Sequence, residues 1–185
     1  MNVPTNKRDA LIDAAASLAH KHGFAATTLA MVAETSGVPL GNVYYYFKSK
    51  EALAGAVLER RVAELDETLA RCSAAETPED QLAALLETLR LGADRVAESG
   101  CALGRISQDS CDDERRCREL PLSKMQTWTE GRMKALGLTG AKARDAALHF
   151  VAALQGASLL SWIHHDSRIL RTETKTLETW IRSLR

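Results

Sequence analysis

Three consecutive tyrosines, Tyr44 to Tyr46, stand in one short segment with Asn42, and Lys48 follows them. An α-helix has about 3.6 residues per turn, so three neighbouring phenol rings cannot all face one core and at least one must be exposed. Hydroxyl, amide and ammonium groups are the groups with which proteins contact DNA phosphates and base edges. These residue types therefore predict a DNA-binding surface at this segment.

A second chemically distinctive segment begins at Cys101, which follows Gly100 and opens a predicted helix with Arg105 one turn later on the same side. A helix N-terminus and a nearby cation favour the thiolate form of cysteine, which reacts faster with oxidants and electrophiles. Cys111 and Cys117 follow, with arginines on both sides of Cys117. The segment predicts Cys101 as a sensing thiol beside Arg105, with Cys111 or Cys117 as a second thiol.

A purely structural role for these cysteines stays open, because cysteine is often a small buried filler. The cysteines at 72, 101, 111 and 117 do not have the C-x-x-C spacing of a zinc site. A cytosolic chain also keeps its thiols reduced, so no disulfide framework is expected. Cys72 is expected to be structural.

Other chemistry-bearing residues form weaker patterns. Four of them could line an apolar ligand pocket, although such residues at helical spacing are more often plain core: Met125, Trp128, His149 and Trp162. The run 164–166 could bind a metal, but adjacent histidines on a helix point about 100° apart, which favours a solvated helix end. No catalytic motif of a serine hydrolase, phosphate-binding loop or zinc hydrolase is present. We therefore expect no cofactor, no metal and no enzymatic activity.

The composition indicates which elements carry these residues. Ala and Leu greatly outnumber Val and Ile, and this balance favours helices over strands. With 45% apolar residues the chain should bury a core. The formal net charge is +0, which excludes a uniformly polycationic binder but leaves room for a local basic patch. Residues 1–50 hold a slight excess of Lys and Arg, and the remainder a slight excess of Asp and Glu.

The tyrosines fall in a predicted helix-turn-helix. Asn6 or Thr5 caps a first helix that ends before Gly23, Thr28 caps a short second helix that ends before Gly37, and a third helix follows Pro39. Two short helices around a glycine are typical of this motif. An ordinary helical hairpin in a bundle has the same spacing, and the exposed tyrosines favour the DNA-binding interpretation.

Residues 23–53 resemble the DNA-binding domain of TetR-family repressors. The resemblance lies in Gly23-Phe24, Thr27-Thr28, Gly37-Val38 and the run Asn-Val-Tyr-Tyr-Tyr-Phe-Lys-Ser-Lys-Glu-Ala-Leu that starts at Asn42. It implies phosphate contacts and base-edge contacts by one set of residues: Thr28, Leu40, Gly41, Asn42, Tyr44, Tyr45, Tyr46, Lys48 and Lys50. Pro39 and Leu40 depart from the family pattern, because the first removes a helix cap and the second a phosphate contact.

The resemblance implies an all-α protein with a DNA-binding domain over residues 1–48 and a helical ligand-binding and dimerisation domain over 49–185. In the second domain we predict helices over 77–99, 102–110, 112–136 with a break or kink at Pro121, 141–164 and 171–184. The family usually pairs its last two long helices with those of a second subunit. The segment 141–164 is rich in small residues that allow close helix approach. The alternative is that it is only a buried central helix, and the two-fold symmetry that palindromic half-sites need favours the dimer.

The sequence thus predicts a homodimeric repressor that binds a palindromic operator in double-stranded DNA, because palindromic half-sites need a two-fold protein. A small-molecule or electrophile effector, or cysteine modification, would lower operator affinity. The cysteine segment also resembles NemR-like members of the family, which respond to electrophiles and oxidants. A constitutive or activating regulator without thiol sensing is the alternative, and a helical enzyme or ligand carrier is a second one. No signal peptide and no apolar stretch of about 18 residues stands out, which favours a cytoplasmic protein without a membrane span.

Overall fold

The computed structural model describes residues 6–110 and 120–184. These residues form helices and no strands, which confirms the predicted all-α class. In chain order the helices are α1 (Lys7–His22), α2 (Leu29–Ser36), α3 (Leu40–Tyr46), α4 (Lys50–Ser73), α5 (Pro78–Leu91), α6 (Ala93–Ser99), α7 (Ala102–Ser110), α8 (Pro121–Ala135), α9 (Gly140–His164) and α10 (Ser167–Arg182).

The chain divides into two compact units, Met1–Ala63 and Glu64–Arg185, called unit 1 and unit 2 below. Unit 1 includes the first part of α4 in addition to the 1–48 segment that the sequence predicts. The boundary between the units therefore falls inside a continuous helix, which no local turn signal marks.

Unit 1 is a small helical domain formed by α1, α2, α3 and the first part of α4. The side chain of Asn6 accepts a bond from the Asp9 amide at 2.9 Å and caps α1. Buried apolar side chains from all four of its helices fill the centre: Leu11, Ile12, Val32, Val43, Phe47 and Leu53. On α4, Arg60 donates to Asp9 at 2.7 Å and to Asp13 at 3.1 Å, so this cation joins α4 to α1.

Unit 2 is built around α9, which packs against α6, α8 and α10. Phe150 is fully buried on this helix, and Leu154 lies one turn further along the same inward face. Leu82, Leu85 and Leu86 come from α5, and Leu170, Leu177 and Ile181 come from α10. The spacing of three and four residues in each helix places one apolar face in this core.

Two predicted helices have different bounds in the structure. The helix predicted over 77–99 is two helices, because Gly92 separates α5 from α6 with φ −86° and ψ 0°. The last helix begins at Ser167 instead of residue 171, since Asp166 caps it by accepting a bond from the Arg168 amide at 2.9 Å. The predicted start near 112 lies outside the described residues, and the described part begins as α8 with Pro121 in its first turn.

α9 is long enough and apolar enough to cross a membrane by length and composition alone, which the sequence analysis did not recognise. Of its apolar stretch, 44% is buried inside the folded chain. Core side chains such as Phe150 and Leu154 supply that apolar character. A central core helix accounts for the composition of α9 without a membrane.

Candidate nucleic-acid interface

α2 is fixed at each end by a residue suited to its place. The Thr28 hydroxyl accepts a bond from the Met31 amide at 3.2 Å and caps α2. Gly37 ends α2 in the left-handed region with φ +69°, a conformation that glycine adopts without steric cost. α3 then starts after Pro39, which gives it no side-chain cap, as the sequence analysis predicts.

α3 has one buried face and one exposed face. Val43 and Phe47 are buried in the core of unit 1. Tyr44 is 51% exposed and Tyr45 is 75% exposed, so both phenols are open to a partner. The exposed set also includes Leu40, Gly41 and Lys48, whereas Asn42 and Tyr46 are half-buried. The rings of Tyr45 and Tyr46 pack edge to face with centroids 5.1 Å apart.

Lys50 stands at the first residue of α4 and is held in place by its own contacts. Its Nζ donates to the Ala25 carbonyl at 2.8 Å and lies 5.8 Å from the centroid of the Phe24 ring. An ammonium group has three N–H donors. The bond to the Ala25 carbonyl uses one of them, so two remain for another acceptor. Next to it, backbone and Ser49 hydrogen bonds lower the pKa of the Glu51 carboxyl. The start of α4 therefore carries one positive and one negative side chain.

The structure also brings Cys101 and Arg105 together in unit 2, in a cleft between α7 and α9. The cleft has a volume of about 290 Å³ and is lined by Gly100, Cys101, Gly104, Arg105, Gln155, Gly156, Leu159 and Trp162. The Arg105 guanidinium lies 5.7 Å from the centroid of the Trp162 ring. The Gly104 amide and the Gln155 side-chain amide both point to Cys101 Sγ, at 3.4 Å and 3.6 Å.

The four residues considered for an apolar pocket are not brought together. Met125 is buried in the core. Trp128 donates from Nε1 to the Ser73 hydroxyl at 3.0 Å. His149 is exposed and packs against Trp180 with ring centroids 4.8 Å apart, whereas Trp162 alone of the four lines the cleft beside Cys101.

Cys72, the other cysteine that the structure describes, does not line this cleft. Cys111 and Cys117 lie outside the described residues. Cys72 is buried in the core, and burial raises the pKa of its thiol. The described residues contain no group of three or more His, Cys, Asp or Glu side chains arranged for a metal.

The sequence analysis missed Gln155 and Gly104, which complete the cleft. A Cβ at Gly104 would lie 2.6 Å from Gln155 Oε1, so α7 approaches α9 closely because this residue has no side chain. Gln155 is a polar residue in the most apolar part of α9, between Leu154 and Gly156. That isolated polar side chain was the available signal.

α9 also presents an apolar stripe to solvent on the side away from the core. Its exposed members are Leu148, Ala152, Gly156, Leu159, Leu160 and Ile163. Their spacing of three and four residues places them on one helix face. An exposed apolar surface that continues for four turns is typical of a protein interface.

Comparisons with known proteins connect these features to one family. Residues 11–57 match the family described as bacterial regulatory proteins, tetR family. The HTH-type transcriptional regulator BetI of Rhizobium meliloti is 36% identical over 81 residues, which are 43% of this chain and 40% of BetI. The HTH-type transcriptional repressor NemR of Escherichia coli K12 is 32% identical over 108 residues, which are 57% of this chain and 54% of NemR. The matches thus span about half the length of these curated relatives, or less.

A solved structure of a TetR transcriptional regulator from Legionella pneumophila shares the fold over the whole chain. Its TM-score is 0.83 at 17% sequence identity, and the match covers 97% of this chain and 98% of that one. At this identity the likeness concerns the fold. The family match at residues 11–57 includes the exposed tyrosines.

Proposed function

Because the chain belongs to the TetR family of bacterial regulatory proteins, we propose that it is a cytoplasmic, sequence-specific repressor that binds operator DNA. The observation that carries this proposal is the exposed face of α3, where Tyr44 and Tyr45 stand open to a partner. A helix of this size fits the major groove, and phenols, amides and backbone groups contact its phosphates and base edges.

The contacts divide by position. The proposed phosphate contacts come from the start of α2, the second half of α3 and the residues up to the start of α4: Thr28, Tyr44, Tyr46, Lys48 and Lys50. On α3, Leu40, Gly41, Asn42 and Tyr45 would meet base edges. Phosphate contacts fix the orientation of a protein on DNA, and base-edge contacts specify the sequence.

We further propose that the protein acts as a homodimer through the stripe on α9 and the adjoining α10. The stripe is apolar and exposed in the single chain, and small residues at Ala152 and Gly156 permit close helix approach. A two-fold dimer presents two recognition helices, as a palindromic operator requires.

The effector acts in unit 2 under this proposal, either as a bound small molecule or by modifying Cys101. The half-buried position of Cys101 in an open cleft supports access by a small reagent. An effector lowers operator affinity only if it binds better to the conformation that holds DNA less well. A constitutive regulator of the same fold would show no such response.

Operator binding is tested by fluorescence anisotropy on genomic fragments selected by binding, over a range of salt concentrations. Lys48 and Lys50 on two subunits give four cations, so log affinity should fall against log salt with a slope of about −4. Lys48→Ala should reduce that slope by about 2, and the matched control Lys134→Ala, an exposed lysine on α8, should leave it unchanged. Failure to bind any fragment at low salt would refute the proposal.

Thiol sensing is tested with Cys101→Ser. This variant should bind the operator as the wild type does and should lose release by hydrogen peroxide or an electrophile. Cys72→Ser serves as the matched control, because Cys72 is buried. An unchanged oxidant response in Cys101→Ser would remove Cys101 from the mechanism.

A further inference from the structure

The cleft between α7 and α9 combines a cation, an aromatic ring, an amide and a thiol in a small volume. We propose that this cleft binds a small planar carboxylate, held by Arg105 and Trp162. The proposal rests on the regulatory function above only for its consequence, which is that this ligand class is the effector. The binding itself follows from the geometry of the cleft.

The size of the cleft restricts the ligand. Its volume of about 290 Å³ is at the lower end of the range for small-molecule pockets, roughly 300–1,000 Å³. A compound with one ring and one polar group fits this volume better than a drug-sized molecule. In the single chain, Gly156 and Leu159 on the open side of the cleft are exposed, so a ligand can enter without unfolding α7.

The charge of the cleft selects an anion. Arg105 is the only ionised side chain among the residues that line this cleft. A guanidinium presents a planar fork of N–H donors that matches the two oxygens of a carboxylate. Because this guanidinium already lies near the face of Trp162, its position is partly fixed before a ligand arrives.

The shape of the cleft selects a planar molecule. Trp162 is partly exposed and offers an indole surface on which a flat ring can stack. On the α7 side, a Cβ at Gly104 would lie 2.6 Å from Gln155 Oε1, so the side-chain amide of Gln155 lies directly against α7. An indole surface beside a guanidinium suits one flat ring that carries a carboxylate.

Because Cys101 lines the same cleft, its rate of alkylation measures whether a ligand occupies the cleft. A ligand seated against Arg105 and Trp162 covers the path by which a reagent reaches Sγ. The tryptic peptide 96–105 contains Cys101 as its single cysteine. Alkylation at this position can therefore be measured separately from the other thiols.

The test is calorimetric titration of the full chain, without DNA, with benzoate and with the uncharged benzyl alcohol. Benzoate should bind at least about tenfold more tightly than the alcohol, because a charge-assisted hydrogen bond contributes that much or more. Arg105→Gln and Trp162→Leu should each weaken benzoate binding about tenfold or more. Arg144→Gln, at an exposed position of α9 outside the cleft, is the matched control and should leave the affinity unchanged. Circular dichroism checks that each variant is folded.

Benzoate should also slow iodoacetamide labelling of peptide 96–105 in the wild type, and benzyl alcohol at the same concentration should not. Equal binding of the acid and the alcohol, unchanged binding in Arg105→Gln, or unprotected Cys101 at saturating benzoate would each overturn the proposal. Since no DNA is present, these outcomes are independent of operator binding. Benzoate binding together with an absence of operator binding would retain the cleft site and refute the regulatory function instead.

Discussion

The apolar stripe on α9 leads to a quantitative prediction for the dimer. Ile163 and Leu148 stand near its two ends, and each is 54% exposed in the single chain. Neither lines the cleft beside Cys101. We predict that Ile163→Ala and Leu148→Ala each shift the monomer–dimer equilibrium towards monomer.

The expected change in the free energy of dimerisation follows from the exposed fraction of each side chain. Full burial of an Ile or Leu side chain stabilises by about 1.5–3 kcal/mol, so covering about half of one contributes about 1 kcal/mol. A two-fold interface uses each residue twice. Truncation of Ile163 should therefore weaken the dimer by about 2 kcal/mol, which is roughly a 30-fold rise in its dissociation constant.

Sedimentation equilibrium over a range of protein concentrations measures this constant. Leu91→Ala is the matched control, because Leu91 is 74% exposed but lies on α5, away from the stripe. It should leave the constant unchanged. A dimer that persists with the wild-type constant in both Ile163→Ala and Leu148→Ala would refute the assignment of the stripe, and so would an equal loss in Leu91→Ala.

Three further predictions concern the single chain. Phe150→Ala should lower the free energy of unfolding by about 3–5 kcal/mol in urea titration, since the ring is fully buried in unit 2; a loss below 1 kcal/mol would contradict its place in the core. Hydrogen bonds from Arg168 lower the pKa of Asp166 to about 2, so this carboxylate adds stability above the unfolded-state pKa and loses it as the pH falls through about 2. Asp166→Asn should thus flatten the fall in urea midpoint between pH 4 and 2, and an unchanged profile would show that Arg168 does not stabilise the carboxylate. Iodoacetamide at pH 8 should label half-buried Cys101 before Cys72, whose pKa burial raises; the reverse order by peptide mapping would contradict this burial.

Local signals in the sequence predict most helix ends in unit 1. Thr28 and Gly37 act through hydrogen bonds and backbone angles within a few residues, so their effect is visible without the fold. The break at Gly92 was missed because the apolar spacing continues from Leu89 to Val96 across it. A glycine with φ −86° keeps the chain direction nearly helical, and the periodicity hides the interruption.

The side-chain groupings of unit 2 were harder to predict, since they depend on contacts between distant helices. His149 and Trp162 are thirteen residues apart on α9, which on a straight helix places them roughly 140° apart around the axis. Their common helix could therefore have excluded a shared pocket from the sequence alone. The meeting of Cys101 with Gln155, by contrast, depends on the approach of α7 to α9, which no local pattern encodes.

The stripe and the cleft share Gly156 and Leu159, so ligand binding and dimerisation are expected to be thermodynamically linked. A ligand that fills the cleft contacts the same face of α9 that a second chain would cover. If ligand binding changes the dimerisation constant by some factor, dimerisation must change the ligand affinity by the same factor. Ile163→Ala lies outside the cleft and weakens the dimer, so any change in benzoate affinity at concentrations where the wild type is dimeric measures this linkage directly. Under the proposed function, this linkage would give an effector a physical route to the operator, because an operator with two half-sites would be held by a dimer that presents both recognition helices.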